Sequence, residues 1–140
     1  MRVWSKACLV TALTIWGVAS GYAQMAPIPE REAAVRAVFA RHIKDQAGML
    51  NCIAVIEPER LTLAQKDWVG ILESARKILE SGKFSTESTA ALIASAQPDK
   101  LMTKTDRASC AADKTWEDRW YLFKAYTLIG DIREIVEGRR

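Results

Sequence analysis

Few side chains in this chain have the type and spacing to do chemistry. His42 is the single histidine, and histidine is the side chain whose ordinary pKa suits proton transfer near neutral pH. It recurs at three- and four-residue spacing with Val35, Phe39, Met49 and Ile53, so it belongs at the margin of a helical core. No Ser or Cys is placed beside it by spacing as a nucleophile. The carboxylates form two clusters. Glu57 and Glu59 flank Pro58, while Asp113, Glu117 and Asp118 crowd the start of a predicted helix. The second cluster fits a first turn that complements the helix dipole. Neither has the alternating Asp/Asn pattern with a central glycine that a calcium loop needs. There is no glycine-rich phosphate cradle and no C-x-x-C pair, and one histidine cannot complete a zinc or haem site by itself. Neither a catalytic residue, a metal nor a cofactor is expected.

The aromatic residues Trp116, Trp120 and Phe123 are the remaining candidates. Projected at 100° per residue, the segment Thr115 to Glu137 has two apolar faces. Tyr121, Ala125, Leu128, Ile129, Ile132, Ile135 and Val136 form one, an ordinary core stripe. Trp116, Trp120 and Phe123 form the other, on nearly the opposite side. Either the preceding loop or the third helix covers these rings, or they form an exposed partner-binding patch. Glu117, Asp118 and Arg119 stand around them as an interface rim would, and aromatic residues and arginine dominate binding hot spots.

The elements that carry these residues follow from the apolar pattern. Arg2 and Lys6, the apolar run Ala7 to Val18 and the small residues Ala19 to Ala23 predict a cleaved signal peptide over residues 1–23. The run is shorter than the roughly 20 residues of a spanning helix, so no stable membrane insertion is expected after cleavage. Residues 24–140 then make a single domain. Of the three cysteines, Cys8 leaves with the signal. Cys52 and Cys110 remain as an even pair in an oxidising compartment, which predicts a disulfide between them. The formal charge of +3 falls by two on cleavage. The mature chain is thus near neutral and has no basic run to attract nucleic acid. Arg31, Arg36, Arg41 and Lys44 lie along the first helix among Glu32 and Asp45 and read as a solvated face.

Helices are predicted over Glu30–Ile56, Thr62–Ser81, Ser85–Ala96 and Thr115–Glu137, with residues 104–114 as a loop. Gly48 is a weak point in the first, Thr62 to Gln65 has capping-box spacing, and Gly82 is a C-cap. No segment alternates as a strand would. The expectation is an all-α bundle of about four helices, stapled by one disulfide that makes the first and last helices neighbours.

Asn51-Cys52-Ile53-Ala54 in a helix, with a second cysteine later, resembles the helical immunity proteins that neutralise type VI secretion amidases; the resemblance covers four residues and one cysteine. The composition points to an exported, periplasmic or secreted, helical module that binds another protein, such as an immunity protein, inhibitor or chaperone. The alternatives are an accessory subunit of an envelope or secretion complex, and a small helical-bundle enzyme, which would require Arg or Lys projecting inward.

Overall fold

The computed structural model describes residues 25–139. The predicted signal peptide at 1–23, with Cys8, lies outside the described residues. Those described form an all-α bundle: α1 (Ile28–Ile56), α2 (Leu61–Ser81), α3 (Thr86–Ser95), α4 (Pro98–Leu101), α5 (Arg107–Ala112), α6 (Thr115–Tyr121) and α7 (Thr127–Val136). Short 3₁₀ turns at Pro58–Arg60 and Lys124–Tyr126 join α1 to α2 and α6 to α7. Among the described residues there is no strand, and no helix is long and apolar enough to cross a membrane.

The axis of the fold is α1, 29 residues and about 43 Å long. One stripe of it, from Val35 through Phe39, Met49 and Leu50 to Ile53, is buried. It packs against α6 and α7 on one side and α4 and α5 towards its C-terminal end, while α2 closes the core through contacts with α7 and α3. Gly48 leaves α1 unbroken. Helix α2 buries Ala64, Trp68, Ile71, Leu72, Ala75 and Leu79, the face its periodicity predicts. The Trp68 indole N–H finds its acceptor in the Ala96 carbonyl at 2.7 Å. Asn51 ties the α4 segment to α1: its amide donates to the Ala47 and Leu101 carbonyls, and its Oδ1 accepts from the Thr103 N–H at 2.7 Å.

The bridge between Cys52 and Cys110 is present, with Cα atoms 5.4 Å apart. It joins the end of α1 to α5, within the stretch read above as a loop. Asp106 caps that short helix by accepting from the Ser109 N–H at 2.8 Å. Six residues are too few to show a period. The expected capping box at Thr62 is not used, because α2 continues directly from the Pro58–Arg60 turn with no side-chain cap. Gly82 does end α2, though for room rather than for conformation. Its backbone is not left-handed, and a Cβ there would lie 2.7 Å from Val136 Cγ1.

The largest departure concerns the final helix. The helix expected over Thr115–Glu137 is two helices, broken at Leu122 and Phe123. The two opposed apolar faces explain the break. A straight helix would turn Trp116 away from α1 whenever Leu128 faced it. With the break, Trp116 and Leu128 are both buried against one core. The cost falls on Phe123, which sits at φ 50°, ψ 33°. That is the left-handed region, disfavoured by about 1–2 kcal/mol for a residue with a Cβ.

Candidate interaction site

The break makes the site. Tyr121, Leu122, Phe123 and Tyr126 are 47%, 62%, 63% and 52% exposed, four large apolar side chains within six positions of the chain. Tyr121, expected in the core stripe, is outside it, because the stripe does not pass through the break. The rings are held in place from several directions. The Tyr121 hydroxyl donates to Glu57 Oε1 at 2.5 Å, and the Arg60 guanidinium lies 5.6 Å from the ring centroid. That carboxylate, beside the hydroxyl, raises the Tyr121 pKa by favouring the protonated phenol. Phe123 meets Tyr126 edge-on, centroids 6.4 Å apart.

The three aromatic residues singled out by spacing do not share one open face. Trp116 is buried, and its indole N–H donates to the Cys110 carbonyl at 2.9 Å. Trp120 is half-buried against the core, and Phe123 alone stands fully outside. The exposed surface is therefore carried by Phe123 together with Tyr121, Leu122 and Tyr126.

Beneath this ridge lies a buried polar chain that spacing alone did not assemble. His42 Nε2 donates to Asp131 Oδ2 at 3.0 Å, and the same oxygen accepts from Arg41 at 2.6 Å. On the other side of the ring, Arg119 Nη2 lies 3.3 Å from His42 Nδ1. A guanidinium has no acceptor, so Nδ1 must be the unprotonated nitrogen and His42 is neutral. Burial keeps the His42 pKa below its ordinary value, outweighing the hydrogen bond to Asp131. Arg119 Nε donates to Gln46 Oε1 at 2.9 Å, which leaves the Gln46 Nε2 donor buried without a partner. That amide faces a crevice of about 20 Å³ between α2 and the ridge, walled by Asp67, Trp120, Phe123 and Tyr126. This is room for one water-sized group.

Both ring nitrogens of His42 are thus engaged, and neither faces Ser or Cys. Among the described residues, no group of three or more His, Cys, Asp or Glu could hold a metal ion. Arg119 was read as part of an exposed rim, and it is instead 7% exposed and points inward. Its position was legible in principle. At 100° per residue it lies on the Trp116 and Phe123 face, and Gln46 falls one turn after His42 on the α1 core stripe. A second cleft, of about 620 Å³ and lined from α1, α5 and α6, is bordered by Lys44, Asp45, Asp113, Trp116, Arg119 and Lys124. Compared with models of protein families, with curated proteins and with solved structures, the chain matches none.

Proposed function

We propose that this protein is an exported helical module that binds another protein through the ridge Tyr121, Leu122, Phe123 and Tyr126. The observation that carries the proposal is the ridge itself: four large apolar side chains in the open, on a turn whose central residue occupies a disfavoured backbone region. Strain of this kind persists where the surroundings over-determine it, and it concentrates at functional positions. Nothing in the fold needs a phenylalanine at 123, since its ring does not enter the core.

The ridge has the makeup of an interface centre. Rigid aromatic rings contribute contact area at low entropic cost, and Tyr121 is already immobilised by Glu57 and Arg60. The orphaned Gln46 Nε2 amide beside it would donate to a partner's carbonyl oxygen in the crevice. Export is supported by the disulfide, which persists in oxidising compartments. The role is that of an immunity protein, inhibitor or chaperone, acting by occlusion rather than catalysis.

Immobilised protein should retain a discrete partner from an extract of the exporting cell's oxidising compartment. The double variant Phe123→Ser, Tyr126→Ser should keep its helical circular dichroism and melting temperature and lose that partner. Equal retention by a folded double variant would refute the assignment of the ridge.

A further inference from the structure

We propose that the cleft between α1, α5 and α6 is a binding site for a single carboxylate group, held by Arg119 with Lys44 and Lys124 at its mouth. The proposal stands apart from the ridge and does not need it to bind a protein. At about 620 Å³ the cleft has the size of a small-molecule site. Trp116 forms an apolar wall and the Cys52–Cys110 bridge lies at its edge.

The argument rests on the charge balance of Arg119. Its Nε and Nη2 meet neutral acceptors, Gln46 Oε1 at 2.9 Å, His42 Nδ1 at 3.3 Å and the His42 carbonyl at 3.4 Å. Its nearest carboxylate is Asp45, 3.9 Å from Nη1 and half exposed. That is too long for a hydrogen bond. The other carboxylate nearby, Asp131, is on the far side of His42 and already accepts from His42 and Arg41. A guanidinium this buried is ordinarily paired with a close anion. Here the nitrogen without an acceptor is Nη1, and Arg119 borders the cleft. The first two nitrogens lock the side chain, so the third is presented in a fixed position.

The remaining charges select the ligand. Lys44, Lys124 and Arg119 border the cleft with Asp45 and Asp113. Lys124 is already paired with Asp118 at 3.3 Å, which leaves Lys44 and Arg119 as the bordering cations with no carboxylate at hydrogen-bond distance among the described residues. A singly charged carboxylate suits these two cations, whereas a doubly charged phosphate meets stronger repulsion from both aspartates. A carboxylate oxygen is a charge-assisted acceptor for that one nitrogen. The group could belong to a free organic acid or to a Glu side chain of another protein.

The test uses ¹H–¹⁵N NMR of the protein, following the Arg119 Nε–H and the Trp116 indole N–H. It is titrated at constant ionic strength with acetate, with N-acetyl-glutamic acid amide, with phosphate and with chloride. Saturable shifts of both signals are expected with acetate and with the blocked glutamate, and not with chloride or phosphate. Tighter binding of the blocked glutamate assigns the site to a protein side chain; equal or tighter binding of acetate assigns it to a free acid. Lys44→Gln combined with Lys124→Gln, both exposed positions, should weaken binding at least threefold without unfolding the protein. Gly48→Leu, placed on the exposed α1 surface at the cleft's edge, should block binding with no change of charge. Absence of saturation with both carboxylates, phosphate binding as tight as acetate, or undiminished binding by Gly48→Leu would overturn the proposal.

Discussion

Breaking the Cys52–Cys110 bridge should lower stability by about 4 kcal/mol. The bridge spans 58 residues. A cross-link of that span removes about 14 cal/mol/K from the unfolded chain in the chain-entropy treatment, which is about 4 kcal/mol at 25 °C. Over about 115 described residues, at roughly 2.1 cal/mol/K each, the unfolding entropy is about 240 cal/mol/K. The melting temperature should therefore drop by about 17 °C. The loss should begin locally. Helix α5 packs on α1 and carries the carbonyl to which Trp116 donates, so reduction should release α5 and shift tryptophan emission to the red before the helical signal melts. The assay is thermal unfolding by circular dichroism and fluorescence of oxidised protein, reduced protein and the Cys52→Ala, Cys110→Ala variant. The double variant should melt with the reduced protein or slightly below it, because Cys110 is buried. Melting temperatures within about 3 °C of one another would refute the reasoning, since the unfolded chain would then gain nothing from losing the bridge.

Acid should destabilise the fold through His42. Its folded pKa lies below the unfolded value of 6.5 because burial disfavours the charged ring, so the unfolded chain binds the proton first. The contribution is present in full above about pH 6.5 and is lost as pH falls through the folded pKa. The urea midpoint should accordingly fall more between pH 7.5 and pH 5 for the wild type than for His42→Gln. Asn51→Ala should cost about 1–3 kcal/mol in chemical denaturation, because it strands the Leu101 carbonyl and the Thr103 N–H; a loss below about 0.5 kcal/mol would contradict the role given to Asn51. Phe123→Asn should raise stability by up to about 1 kcal/mol, as asparagine tolerates the left-handed conformation better. The same variant should weaken partner binding at least tenfold, and a clear loss of stability would show that the ring supports the fold.

What was legible in the sequence was whatever repeated or could be counted. The stripes of α1 and α2 each extend over several turns, and their apolar positions lie on the buried side, His42 among them. Ile78 is only half-buried, and α1 also buries Arg31, read as part of a solvated face, with Gln46 and Asn51, which apolar spacing does not mark. The disulfide followed from pairing the two cysteines that lie outside the predicted signal segment. The break at Phe123 was less direct, since no proline or glycine stands at 121–126 to mark it. Its trace was the incompatibility of the two faces of 115–137, which no straight helix against a single core could satisfy. Arg119 was misread because charge was taken as a sign of exposure, although its azimuth placed it among the aromatic rings. Its burial depends on acceptors 73 and 77 residues away on α1, a pairing that local spacing does not carry. The cap at Asp106 was missed for a different reason, the shortness of the helix it starts.

The central claim is that the ridge around Phe123 is a partner-binding surface, and site-specific photocrosslinking tests it most directly. A photoreactive phenylalanine analogue is placed at Phe123 and, separately, at Lys77, which is exposed on α2. Irradiation in the cell that makes the protein should give one discrete adduct from position 123 and none from position 77, and excess wild-type protein should compete it away where Phe123→Asn does not. Matching adducts from both positions, or equal competition by the variant, would contradict the claim.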